Sequence, residues 1–242
     1  MIVLFTDFGV NGPYVGQLKS AILNLNPESK IIDLMHDAPT HDVKHSACLL
    51  KSLVEYFPNN SIFCCVVDPG VGSSRKAIAA RINNNYFIGP DNGLFEYLIR
   101  TSDDIQVYKI IWKPEDLSMT FHGRDLFAPI AAKMEQGDYS GVSEIDLKDL
   151  MRFSWTDNLW EIIYIDGFGN LMTGVMKEAV SENTVLEFMK KKITHVRNYS
   201  EMKEGKLYWY FNSNGLVEIS MKEKSAQVAM GAQIGESVRI AD

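Results

Sequence analysis

The 242-residue chain is short of three things: cysteine, basic charge and long apolar runs. Its three cysteines, Cys48, Cys64 and Cys65, are odd in number and lack C-x-x-C spacing, and two are adjacent in the apolar run SIFCCVV. That pattern supports neither a zinc site nor a disulfide framework, and it makes the cysteines small core residues. Lys and Arg number 24 against 31 Asp and Glu, a formal charge of −7. The basic footprint required by a phosphate backbone is missing, so nucleic acid is not an expected partner. The apolar opening MIVLFTDFG is far too short to span a bilayer, and no Lys or Arg precedes its Asp7 as in a secretory signal. The expectation is a cytoplasmic protein that does not engage membranes. What is present is an ordinary globular composition, 46% hydrophobic and 23% charged, long enough for one large domain or two modest ones.

The first part alternates strand-like and helix-like patterns. β-rich runs at Ile2 to Thr6, Lys30 to Leu34, Ile62 to Val67, Ile78 to Ile82 and Tyr86 to Ile88 are strands, while Val15, Leu18, Ile22 and Leu25 recur at helical spacing. A second helix fits Ala47, Leu50, Val54 and Phe57, stopped by Pro58, and a third runs from Leu126 to Gln136 with Gly137 closing it. This alternation predicts an α/β domain over 1–150, a mostly parallel sheet covered on both faces. Beyond Trp155 short strands dominate, at Leu159 to Ile165, Leu171 to Val175, Leu207 to Phe211, Leu216 to Ile219 and Ser237 to Ile240, joined by the turns DGFGN and NSNG. A smaller, mostly β domain is expected over 158–242, with the polar stretch Gly141 to Asp157 as the connection.

Acids gather at strand ends: Asp7 after the first strand, Asp33 and Asp37 around the second, Asp68 after the third, Asp91 after YFIGP. In a parallel sheet those ends form the ligand crevice, so the carboxylates can converge on one small molecule. In Asp68-Pro-Gly-Val-Gly-Ser-Ser-Arg75, a tight turn lets the guanidinium fold back beside the acid and keep it ionised. His122 in TFHGRD stands at a helix start, where an imidazole can act as a base or hydrogen-bond partner. His36, His41 and His45 lie near Asp37 and Asp42 but lack compact metal-ligand spacing. Asp166, Phe168 and Asn170 in DGFGN offer an acid, an aromatic face and an amide, a set suited to a purine and an ammonium group, although DG and GN also favour a plain hairpin turn.

TDFG, DPGVGSSR, GPDNG, FHGRD, DGFGN and NSNG occur in this order along nearly the whole chain. Together they resemble the S-adenosyl-L-methionine hydroxide adenosyltransferase family, related to the bacterial fluorinase and chlorinase. The resemblance implies cleavage of S-adenosyl-L-methionine by water or hydroxide to adenosine and L-methionine. It also implies an α/β N-terminal domain, a β-barrel-like C-terminal domain, and a homotrimer holding its ligand between subunits, with no cofactor and no metal. It assigns catalysis to Asp68, Arg75 and His122, the ribose diol to Asp7, adenine to Phe168 and Asn170, and the methionine amino and carboxylate groups to Asp166 and Ser213. The halogenases carry Tyr in place of Asp68 and Tyr-Ser in place of His122-Gly123, so a pocket for desolvated halide is not expected here. They also carry Trp near the position of Cys48, and Arg where this chain has Asn214.

The residue types suit that chemistry. A sulfonium leaves as a neutral thioether and needs no general acid, so the demand falls on the nucleophile, a water to be held in line with C5′ and relieved of a proton. Two other readings use overlapping residues. A non-catalytic adenosine or S-adenosyl-L-methionine binding protein needs only Asp7, Phe168 and Asn170, and a metal-dependent nucleotide hydrolase would use Asp7, Asp37, Asp91 and His41.

Overall fold

The computed structural model describes residues 1–241. These form two compact units, one comprising Met1–Ala47 and Tyr56–Phe153, the other comprising Cys48–Glu55 and the chain from Ser154 onward. Along the chain come β1 (Ile2–Thr6), α1 (Tyr14–Leu25), β2 (Ile31–Met35), α2 (Val43–Leu53), β3 (Ile62–Val66), β4 (Ala77–Ile82), β5 (Asn85–Pro90), α3 (Glu96–Arg100), β6 (Ile105–Ile110), α4 (Ala128–Glu135) and β7 (Val142–Ile145). The first unit's seven strands are ordered β2-β1-β3-β5-β4-β6-β7. The half from β2 to β5 is parallel, and β4, β6 and β7 extend it antiparallel. Mixed α/β architecture is therefore as expected, with the antiparallel half completing the sheet.

β1 and β3, five residues each and wholly buried, are continuous apolar runs because both of their faces are covered. On one face lie α1 and α4, whose Leu18, Ile22, Ile130 and Met134, with Phe127 just before α4, pack with Ile2, Leu4, Cys64 and Ile88. On the other, Phe63 stacks on Phe87 at 4.9 Å, flanked by Phe57 and Phe95. Each such fully buried side chain contributes about 1.5–3 kcal/mol of transfer free energy. All three cysteines are buried and none forms a disulfide among the described residues, and burial pushes the Cys64 thiol up to about 12.

The polar connection read from Gly141 onward begins with β7, paired to β6, followed by Asp149, whose carbonyl accepts from Lys76. Arg152 then reaches the buried Glu96 at 2.9 Å, and Glu96 also receives Arg100 and the Phe153 amide. These ties are long range, which is why the local sequence looked like a linker.

The second unit continues with β8 (Leu159–Ile165), β9 (Leu171–Met176), β10 (Leu186–Phe188), β11 (Lys191–His195), β12 (Leu207–Phe211), β13 (Leu216–Met221), α5 (Ala226–Met230) and β14 (Val238–Ile240). Its sheet runs β14-β10-β11-β12-β13-β9-β8. The two ends nearly meet: the Ile162 amide donates to Glu236, and Gly235 donates back to Ile162, each at 2.8 Å. The result is an almost closed barrel around Trp209, Phe188, Leu171, Val217 and Ile219. β10 and β11 escaped notice in the sequence because one is three residues long and the other is lysine-rich with mostly exposed side chains.

Candidate active site

Asp7 and Asp68 leave the carboxyl ends of β1 and β3, neighbouring parallel strands in which Thr6 pairs with Val66. Both line a cavity of about 540 Å³ in the first unit, together with Phe8, Tyr14, Thr40, Val71, Phe121 and His122. The sheet geometry that suggested a crevice there thus brings the two acids to one wall.

After Asp68 the chain turns through Pro69 to Ser74. Gly72 sits at φ +81, and a Cβ there would lie 2.5 Å from the Met119 carbonyl oxygen, so only glycine lets the two loops approach so closely. The turn returns Arg75 onto Asp68: Nε donates to Oδ1 at 2.8 Å and Nη2 to Oδ2, a bidentate pair whose side chains are 7% and 4% exposed. The guanidinium also lies 5.3 Å over the Phe127 ring. Removing either partner from such a buried pair costs about 3–5 kcal/mol, because the remaining charge is stranded.

His122 ends the FH pair before a π-helical turn, Gly123–Phe127, that leads into α4. Its Nδ1 is 3.0 Å from Arg75 Nη2. A guanidinium only donates, so Nδ1 accepts, and the neutral ring carries its hydrogen on Nε2. Nε2 is buried and has no protein partner among the described residues. Burial, reinforced by the Arg75 charge, holds the imidazole below the usual histidine range and therefore neutral. The imidazole and a carboxylate already clamped by arginine thus line the cavity together, with one ring N–H buried and left to bond.

Asp7 is held differently. Its Oδ2 accepts the His41 amide at 2.9 Å, and burial pushes its carboxyl up. Asp91, at the end of β5, accepts the Met151 amide at 3.0 Å through Oδ1. Its Oδ2 is buried without a partner among the described residues, and burial pushes this acid up as well. Of the histidine cluster, His45 Nδ1 binds Asp42 at 2.5 Å and His36 binds Asp33 at 3.0 Å. Among the described residues no group of three or more His, Cys, Asp or Glu is arranged to hold a metal ion.

In the second unit, DGFGN is a tight turn organised by its own acid. Asp166 Oδ1 accepts the amides of Phe168 and Asn170, and Oδ2 accepts Asn170 Nδ2, all at 2.9 Å. Gly169, at φ +81, leaves no room for a Cβ beside Ser225. The turn lifts Phe168 to 83% exposure, and Ser220 fixes the Asn170 amide by donating to Oδ1 at 2.6 Å. Phe168 and Asn170 line a cavity of about 510 Å³ with Tyr199, Met221, Lys224 and Ser225. Ser213 sits in the NSNG turn between β12 and β13, where Asn212 Oδ1 accepts the amides of Asn214 and Leu216, each at 3.0 Å.

Sequence reasoning missed the residue that braces this turn. Glu218, buried in β13, receives Asn212 Nδ2 at 2.9 Å and the Tyr210 hydroxyl. The signal was a carboxylate alternating with core residues in LVEISM, a strand in which an unpartnered acid would be costly.

Residues 2–143 match the SAM hydroxide adenosyltransferase N-terminal domain and residues 160–239 the corresponding C-terminal domain. A Methanocaldococcus jannaschii protein named (R)-S-adenosyl-L-methionine hydrolase is 32% identical, over 99% of this chain and 95% of that one. The crystal structure of an uncharacterized conserved protein from Thermotoga maritima superimposes with a TM-score of 0.89 at 26% identity, covering all of both chains. Similarity to a fluorinase from Nocardia brasiliensis is weaker, 23% identity over 57% of this chain and 54% of that protein. No helix among the described residues is long and apolar enough to cross a membrane.

Proposed function

The chain belongs to the SAM hydroxide adenosyltransferase family, and from that premise we propose that it cleaves S-adenosyl-L-methionine with water to adenosine and L-methionine. The observation that carries this reading is the Asp68–Arg75–His122 cluster on the wall of a cavity that also contains Asp7. Water oxygen forms the bond to C5′ as the C5′–sulfur bond breaks. Both bonding electrons go to sulfur, methionine departs as a neutral thioether, and one proton leaves the attacking oxygen. The Nε2–H of His122 holds that oxygen from one side and Asp68 accepts the proton, while Arg75 keeps Asp68 aimed and steadies the developing hydroxide. Approach of an anionic nucleophile to a sulfonium cancels charge, which a dry cavity favours. No redox or group-carrying cofactor enters such a displacement.

Asp7 takes the ribose diol, Phe168 and Asn170 take adenine, and Asp166 and Ser213 take the amino and carboxylate groups of methionine. Asp166 already accepts three hydrogen bonds within its turn, so it meets the ammonium with its remaining lone-pair capacity. We further infer a homotrimer with the ligand between subunits, for which sedimentation gives the direct measurement, and a cytoplasmic location. Incubation with each sulfonium epimer of S-adenosyl-L-methionine, with adenosine followed by chromatography, tests the activity. Stoichiometric adenosine and methionine is the expected result. Tight calorimetric binding with the ligand recovered intact from both epimers would leave a binding protein instead.

A further inference from the structure

His36 lies outside the cavity and is 5% exposed, yet both of its ring nitrogens are engaged. Nε2 is 3.0 Å from Asp33 Oδ1, and Asp33 Oδ2 receives Lys19 at 2.6 Å. Nδ1 is 2.8 Å from the hydroxyl of Thr6, a residue with no exposed surface. In the neutral ring, with Nε2–H donating to the carboxylate, Nδ1 is an acceptor, so the Thr6 hydroxyl donates to it and its oxygen accepts the Phe8 amide at 3.3 Å. The main chain repeats the connection. Gly9 donates to the His36 carbonyl at 2.6 Å and Ala38 to the Thr6 carbonyl at 3.1 Å. His41, held at φ +58, donates its amide to Asp7 Oδ2 at 2.9 Å. Asp7 therefore sits between two residues, Thr6 and Phe8, that are tied through one hydroxyl to a single buried imidazole.

A carboxylate that grips two vicinal hydroxyls must present both oxygens at once, and small errors in its placement are expensive. We propose that His36 is a positioning residue that fixes the Asp7 carboxylate through Thr6 and so sets discrimination between ribose and 2′-deoxyribose substrates. This inference rests on the proposed function, specifically on Asp7 as the ribose ligand. The Thr6 hydroxyl is too buried to be a nucleophile, so the chain Asp33–His36–Thr6, despite its likeness to a catalytic triad, serves orientation.

The test compares kcat/KM for S-adenosyl-L-methionine and its 2′-deoxy analogue, with calorimetric affinities for adenosine and 2′-deoxyadenosine as a readout independent of turnover. Asp7→Asn is expected to abolish most of the discrimination. His36→Ala and Thr6→Val should lower it about tenfold, the scale of one well-placed hydrogen bond, mainly through KM. His36→Asn, whose amide oxygen can accept from Thr6, should restore most of it, a rescue that a purely space-filling role would not give. If His36→Ala does not fold, Thr6→Val, a hydroxyl exchanged for a methyl, carries the same comparison. Discrimination unchanged in the His36 and Thr6 variants but lost in Asp7→Asn overturns the positioning role and leaves the ribose assignment standing. Discrimination retained in Asp7→Asn overturns that assignment, and the positioning role with it.

Discussion

Two regions of the molecule treat buried polar groups in opposite ways. Around Asp68, Arg75 and His122 the first unit leaves bonding capacity open: among the described residues the Nε2 of His122 has no partner and Asp7 accepts one amide from His41. Around Asn170 and Glu218 the second unit closes its groups on one another, Ser220 to Asn170, Asn170 to Asp166, and Tyr210 and Asn212 to Glu218. Open valence in a concave, largely buried setting is where a reacting molecule can replace water, whereas satisfied networks hold a shape. The first arrangement is suited to chemistry and the second to presenting turns that recognise a ligand.

The strongest way to break this contrast is to mutate both sides and compare kcat with KM. Asp68→Ala, Arg75→Ala and His122→Ala are each expected to lower kcat by about 10²-fold or more, the scale of positioned acid-base groups. Near-native turnover in all three, with cooperative unfolding retained, would falsify the mechanism. Glu218→Ala should act oppositely. Leaving the Tyr210 hydroxyl and Asn212 amide unpaired is expected to cost about 1–3 kcal/mol in urea unfolding and to raise KM, with kcat changed only slightly. A kcat loss as large as that of the arginine variant would erase the distinction between the units.

The smallest effect sharpens it. Because burial raises the Asp91 carboxyl in the folded state, the favourable contribution of that group is complete below its unfolded value of about 4. It is lost as pH rises through the folded value. The stability difference between Asp91→Asn and the parent chain should therefore move in favour of asparagine from pH 4 to pH 8. A flat difference across that range would show that the second oxygen of Asp91 is effectively solvated.

Much of the first sheet was readable because burial on both faces imposes runs such as IVLFT and IFCCV, and the fully buried Leu18 and Ile22 of α1 keep helical spacing. The elements that escaped were short or half-exposed. α3 and α5 have five residues each, too few for a helical pattern to repeat, and β6 alternates partly with polar residues. The fold-back of Arg75 onto Asp68 could be inferred from six intervening positions and two glycines. The meeting of Arg75 with His122, 47 residues later, is written in no spacing, and only the family resemblance grouped the two.

By itself the sequence determined where strands end, which acids stand at those ends and which glycines permit tight turns, because these follow from local sterics and periodic burial. Tertiary structure alone decided which nitrogen of His122 carries the hydrogen, that the Thr6 hydroxyl meets the buried His36, and that Glu218 is paired. Hydrogen-bond direction and desolvation depend on groups brought within about 3 Å from distant parts of the chain, and no pattern along the chain records that distance.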